Sequence, residues 1–181
     1  MVIFFGPAGS GKSVQGQLLA ERKGWHWVSS GQILRDTHDK EILKAQNDGV
    51  LVLDDKVNQA IKKALSQFSS DDNLVIDGYP KHLEQAKWLM KNYSKVKRPI
   101  DLIVVFDVPK DELLKRMHLR SRADDTPDSI NERLRIYYKE VASMLDYFKK
   151  EGVDIIHING LGTIDQVHNK IVEEITKCNI L

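Results

Sequence analysis

Eight residues near the start of the chain, Gly6-Pro7-Ala8-Gly9-Ser10-Gly11-Lys12-Ser13, carry the spacing G-x-x-x-x-G-K-[ST]. They follow an apolar run at 2–5 and open a helical pattern, the context in which this spacing cradles phosphate groups. The glycines let the backbone curl so that several N–H groups point at phosphate oxygens, and the helix that starts near Lys12 adds the positive end of its dipole. Lys12 supplies a mobile point charge and Ser13 a hydroxyl for Mg²⁺. Asp77, at the end of the apolar run 74–76, stands where an acid would hold that ion through water. The chemistry on offer is the binding of a magnesium–nucleoside triphosphate. The bland alternatives are a tight strand-to-helix turn at 6–11 and, for Asp77, a strand-end acid that starts a turn.

A second set of residues is cationic. Arg116 and Arg120 are four apart, so on a helix both project from one face and reach a common anion. Arg122 and Arg133 follow, and Arg35 lies near another helix end. Moving a phosphoryl group calls for positive, hydrogen-bonding groups around spreading negative charge, not for a covalent nucleophile, and arginine forks suit that geometry. Taken singly, each is equally a solvated surface charge. The six histidines show no paired metal-ligand spacing, and Trp25, Trp27 and Trp88 read as packing residues.

The elements that must position these groups are legible as apolar runs at 2–5, 26–28, 74–76, 102–106 and 154–158, separated by longer amphipathic segments. Short, nearly continuous apolar strands joined by helices predict an α/β fold with a five-stranded parallel sheet covered on both faces. The clearest helix is predicted over 127–150: Thr126 caps it, Pro127 suits its first turn, Gly152 ends it, and Ile130, Leu134, Tyr137, Val141, Leu145 and Phe148 form one stripe. Between 29 and 68 the pattern is helical and polar without a strand, too long for a simple crossover, which predicts a small helical substrate-binding subdomain. Residues 69–72 read as a loop.

With these motifs in place, a family resemblance emerges. The stretch from Gly6 through Lys12, Ser13 and Val14 to Gln15 resembles the G-P-P-G-S-G-K-G-T-Q loop of adenylate kinases and other nucleoside monophosphate kinases. Ser29-Ser30-Gly31-Gln32-Ile33-Leu34-Arg35 resembles S-T-G-D-L-L-R, and Asp77-Gly78-Tyr79-Pro80-Lys81 with Gln85 resembles D-G-F-P-R followed by Q. Phe106-Asp107-Val108-Pro109, then Arg116, Arg120, Arg122-Ala123-Asp124-Asp125 and Arg133, resemble the F-D-V-P strand end and the arginines that flank the family's lid. The resemblance covers essentially the whole chain. It implies a P-loop kinase fold with a monophosphate-binding subdomain at 29–68 and a vestigial lid at 120–126. It implies that Gly9, Ser10, Gly11, Lys12, Ser13, Val14 and Arg120 hold ATP, and that Ser30, Arg35, Val50, Leu51, Val52, Gly78, Lys81 and Gln85 hold AMP. Lys12, Arg116, Arg122 and Arg133 would gather around the transferring phosphoryl, with Ser13 and Asp77 at the magnesium.

The chain departs from that pattern in places. Ser13 and Val14 stand where the family has glycine and threonine, Gln32 replaces an aspartate and Lys81 an arginine. Only Ser121 lies between Arg120 and Arg122, where relatives place a lid, and Gly162 stands where they often have a longer residue. The resulting expectation is Mg·ATP + AMP ⇌ 2 ADP. The alternatives are a kinase for another monophosphate (UMP or CMP), with the Gln85 amide favouring adenine, and a nucleotide-binding regulator with weak transfer.

Composition sets the outer bounds. The 181 residues fit one domain with a sizeable core, and the hydrophobic share of 41% and charged share of 29% are ordinary for a globular protein. No apolar run has the length to span a bilayer, and the short run after Met1 leaves no room for a signal segment, so a cytoplasmic protein is expected. A net charge of +1 and the absence of a basic–aromatic stripe argue against a nucleic-acid partner, and Cys178, the one cysteine, forms no internal disulfide. The expected partners are small nucleotides, and the expected state is a monomer, with an oligomer open.

Overall fold

The computed structural model describes residues 1–93, 99–120, 122 and 124–180. The five apolar runs form β1 (Val2–Phe5), β2 (His26–Ser29), β3 (Leu74–Asp77), β4 (Leu102–Asp107) and β5 (Asp154–Asn159). They pair in parallel in the order β2-β3-β1-β4-β5. Four strands run one residue past the apolar stretch seen in the sequence, and that last residue is polar: Ser29, Asp77, Asp107 and Asn159. These residues form a polar row at the carboxyl edge of the sheet, the edge at which open α/β sheets bind ligands.

Eight helices surround the sheet among the described residues: α1 (Lys12–Lys23), α2 (Ser30–Asp36), α3 (Lys40–Asn47), α4 (Asp54–Leu65), α5 (Leu83–Asn92), α6 (Lys110–Arg120), α7 (Pro127–Lys150) and α8 (Ile164–Lys177). The two-residue period of the strands divides the core. Val2, Phe4, Val75 and Val104 face Leu19 of α1 and Ile171 and Ile175 of α8. On the other side of the sheet, Ile3, Phe5, Ile76 and Val105 face Ile61 of α4, Leu89 of α5 and Phe148 of α7. Each such buried aliphatic or aromatic side chain contributes about 1.5–3 kcal/mol relative to exposure. A third, smaller cluster joins Leu113 and Met117 of α6 to Ile130 and Leu134 of α7. The helices that carry Arg116, Arg120 and Arg133 are thus anchored to each other by apolar packing.

Helix α7 starts and stops as the sequence indicates: the Thr126 side chain accepts from Ser129 N, Pro127 opens the first turn, and Gly152 follows at φ 79°. Its inward stripe differs in detail, because Met144 is fully buried while Tyr137, Val141 and Leu145 are only half-buried. Between β2 and β3 the chain forms α2, α3 and α4 without a strand. Ser121 and Ala123, within the expected lid at 120–126, lie outside the described residues.

Candidate active site

The loop after β1 is built for close approach. Gly9 has φ 84°, and a Cβ there would lie 2.9 Å from Leu113 O and 3.0 Å from Met117 Cγ, so only glycine lets the loop nest against α6. Gly11 is the left-handed N-cap of α1, and its helix begins at Lys12. The Lys12 ammonium folds back over the loop, donating to Gly6 O at 2.6 Å, to Pro7 O at 2.9 Å and to Ser10 Oγ at 3.3 Å. A bound phosphate can replace these acceptors without rebuilding the loop. Enclosure strips water from the ammonium and lowers its pKa to about 8, a shift that Asp77 opposes and that Arg120 and Lys81 reinforce.

Beside the loop, Ser13 Oγ donates to Asp77 Oδ2 at 2.6 Å. This hydroxyl in the first turn of α1 and this carboxylate at the end of β3 are hard oxygen ligands, and they suit a small divalent cation that keeps waters and phosphate oxygens as its other ligands. Asp77 is 3% exposed, so the pair is shielded by protein. Among the described residues no group of three or more His, Cys, Asp or Glu side chains gathers to cage a metal by itself. The donor set therefore fits an ion that arrives with phosphate.

One cleft of about 750 Å³ runs from this loop to the end of α3. Lys12, Arg35, Lys81, Arg116, Arg120, Arg122 and Arg133 line it, opposed among the described residues only by Asp77, Glu112 and Asp124. Seven cations against three acids make it a sink for anions. The cleft arginines of α6 and α7 are held in place. Arg116 donates to Glu112 Oε1 at 2.7 Å and to Gly160 O at 3.0 Å. Arg120 grips Asp125 through two hydrogen bonds of 2.5 and 2.7 Å, and Arg133 donates to Asp125 at 2.9 Å and to the Asp124 carboxylate at 2.7 Å. Burial works to raise the Asp125 pKa, but the Arg120 fork, with Arg133 and Arg122, brings it below the usual carboxylate value. The charge is fixed, and so is the aim of both guanidinium groups.

Residues 4–153 match the family described as Adenylate kinase. The chain is 35% identical to an adenylate kinase of Mycobacterium leprae over 97% of its length and 99% of that protein's. It is 33% identical to one of Bifidobacterium longum over 96% and 98%, and 30% identical to one of Prochlorococcus marinus over 97% and 98%.

The chain belongs to the adenylate kinase family.

In this adenylate kinase relative, the cleft wall includes Gly9, Ser10, Gly11, Lys12, Ser13, Val14, Ser30, Arg35, Val50, Leu51, Val52, Asp77, Gly78, Lys81 and the four later arginines. Gln85 is the exception. It is 1% exposed, its Oε1 accepts from Lys81 N at 2.8 Å, and its Nε2 donates to Asp54 Oδ1 at 2.9 Å. Without a ligand, the amide expected to pair with a base fixes the backbone of Lys81, because a buried amide takes the nearest partners it has. Gln32, where the family has aspartate, accepts from Arg35 at 2.9 Å and donates to Asp36 at 2.8 Å. A neutral amide thus orients Arg35 without neutralising it. Loss of hydration at the cleft wall lowers the Lys81 pKa, and Arg133 lowers it further.

Several cleft residues escaped the sequence reading. Asp124 and Asp125 appear in the sequence only as part of a motif, yet they hold two arginines; adjacent acids closely following an arginine were the available signal. Gln46, Gly49 and Tyr137 also line the cleft, and no local pattern marks them, because their place depends on α3 meeting α7. Among the described residues no helix is long and apolar enough to cross a membrane.

Proposed function

We propose that the chain is an ATP:AMP phosphotransferase catalysing Mg·ATP + AMP ⇌ 2 ADP. The observation that carries this reading is one cleft with a phosphate loop at one end, Arg35 and Lys81 towards the other, and fixed guanidinium groups of Arg120 and Arg133 on the wall between them. Gly9, Ser10, Gly11, Lys12, Ser13 and Val14, with Arg120, bind the triphosphate. Ser30, Arg35, Val50, Leu51, Val52, Gly78, Lys81 and Gln85 bind the monophosphate, and residues 29–68 act as its subdomain. Ser13 and Asp77 would hold magnesium, which when bound neutralises phosphate charge and aligns the oxygens of an in-line transfer.

Transfer is direct. The AMP phosphate oxygen attacks the γ-phosphorus and the bond to the ADP oxygen breaks, with no covalent enzyme intermediate. Lys12, Arg116, Arg122 and Arg133 stabilise the spreading charge, and because salt bridges already hold Arg116 and Arg133, little reorganisation is needed as the barrier is crossed. We read the enzyme as a cytoplasmic monomer. The decisive experiment is a panel of monophosphates with Mg·ATP in an ADP-release assay. Turnover of AMP well above UMP and CMP is the expected result; a preference for a pyrimidine monophosphate would reassign the substrate, and binding without turnover would make the chain a nucleotide sensor.

A further inference from the structure

Helix α8 packs against the sheet and α1 through an apolar face that includes Val167, Ile171 and Ile175, and one polar residue interrupts that face. His168 is 3% exposed, and its Nδ1 lies 3.2 Å from Oε1 of Gln15, which is itself 3% exposed on α1. The Gln15 amide is oriented from its other end. Its Nε2 donates to Ile164 O at 2.9 Å, which leaves Oε1 facing the imidazole, so the imidazole Nδ1 carries a proton and donates. Burial, and then Arg22, lower the His168 pKa, which favours the neutral ring with that one donor. A hydrogen-bonded relay thus runs from His168 through Gln15 to Ile164, the first residue of α8.

Ile164 ends the turn that leads from β5 into α8, and Gly160, Gly162, Thr163 and Ile164 of that turn line the cleft. The first end of the turn is fixed separately. Gly160 N donates to Asp107 O at 2.9 Å, Arg116 donates to Gly160 O at 3.0 Å, and a Cβ at Gly160 would lie 3.5 Å from Ser10 O of the phosphate loop. None of these four lining residues carries a charge, so this wall does not compete for phosphate. With its terminal phosphate directed at the cleft arginines, a triphosphate on the loop brings its nucleoside to this uncharged turn. Two of the four are glycines, so the fit depends on where the backbone is held. Gln15 holds the far end of the turn from α1, the helix that begins at the phosphate loop.

We propose that His168 is a positioning residue for triphosphate binding: by donating to Gln15 it holds the 160–164 turn at a set distance from the phosphate loop, fitting the turn to the nucleoside and leaving the grip on the phosphates unaffected. An apolar side chain would fill the same seam, but it would leave Gln15 Oε1 buried without a donor and the amide free to turn away from Ile164 O. The inference rests on the triphosphate site proposed above.

The test separates nucleoside from phosphate and donor from packing. His168→Asn keeps an N–H near the place of Nδ1, His168→Gln carries its amide out to the place of Nε2, and His168→Leu keeps bulk alone. Calorimetry with magnesium measures binding of ATP and of inorganic tripolyphosphate, and steady-state kinetics gives KM for ATP and AMP. His168→Leu and His168→Gln should weaken ATP binding about fivefold and raise KM for ATP to match. Tripolyphosphate affinity and KM for AMP should stay within about twofold of wild type, and His168→Asn should bind ATP as wild type does. Equal weakening of ATP and tripolyphosphate would make His168 a support of the phosphate loop itself and overturn the proposal. Unchanged ATP binding in His168→Leu overturns it too, as does a loss in His168→Asn as large as in His168→Gln, since the Nδ1 donor would then not matter. Should His168→Leu fail to fold, the two amide variants carry the same comparison. If wild type binds ATP but turns over no monophosphate, the phosphotransferase reading fails by itself and calorimetry still decides the role of His168; if wild type binds no ATP, both fall.

Discussion

Lys12 is a cation held where its charge is hard to keep, and this gives it a pH signature. Its pKa in the free enzyme is lowered to about 8, so the ammonium is fully present below that pH and is lost as pH rises through it. A bound triphosphate favours the charged form. The value of kcat/KM for Mg·ATP should therefore fall as pH rises through about 8, while kcat, which reports the bound state, holds to higher pH; a pH–rate series resolves the two. Lys12→Ala should cost roughly two to three orders of magnitude in turnover, because it removes a preorganised cation from the loop. Lys81 offers a complementary measurement. A lysine acts on phosphate as a point charge, whereas an arginine fork makes two directed hydrogen bonds, so Lys81→Arg should lower the apparent KM for AMP and leave that for ATP unchanged. An unchanged or higher KM would mean that Lys81 does not touch the AMP phosphate.

At the scale of elements, the junction of α6, α7 and α3 decides where the arginines point. Asp125 is 2% exposed on its side chain and holds Arg120 and Arg133 together. Asp125→Asn removes the charge that both guanidinium groups answer to, and should lower kcat about 10- to 100-fold, in line with loss of a group that orients transition-state donors. Steady-state kinetics should show that loss with a smaller change in KM for ATP. On the other side of the cleft, Gly49 follows α3 at φ 73°, and a Cβ there would lie 2.6 Å from Ser129 O in the first turn of α7. Gly49→Ala should therefore raise KM for AMP by driving the α3 end off α7, with a stability loss of about 1–3 kcal/mol visible in denaturant titration.

For the whole molecule, the short connection between α6 and α7 bears on water exclusion. A lid serves partly to keep water from the γ-phosphate until both substrates are bound. With one residue between Arg120 and Arg122, that task would fall either to the segment carrying α2, α3 and α4, which reaches α7 through the hydrogen bond from Arg133 to Gln46 O, or to a neighbouring subunit. The enzyme should consequently hydrolyse Mg·ATP in the absence of AMP at a measurable fraction of its transfer rate. Phosphate release, followed with and without AMP and across protein concentration, tests this. Release no greater than that of a Lys12→Ala control would show the short connection to be sufficient, and release that falls with protein concentration would point to a second subunit as the cover.

The sequence by itself determined the phosphate loop, the five strands and the capped helix α7. These are local: Gly9 and Gly11 bend the chain, short apolar runs choose strand, and Thr126 with Pro127 starts a helix wherever the fold places it. It also offered Arg116 and Arg120 as one face, since a helical period is enough for that. Only the tertiary structure decided which charges pair and which stay open. Gln85 turns inward because Lys81 N and Asp54 come within its reach, and Asp125 becomes a buried clamp because α6 and α7 pack through Met117 and Ile130. Gln46 is held at the α3 end because Gly31 and Arg133, 15 residues before and 87 residues after it, fix its amide and its carbonyl. Such roles depend on distances between residues far apart in the chain, and these are set by packing three layers against one another, which no spacing along the sequence encodes.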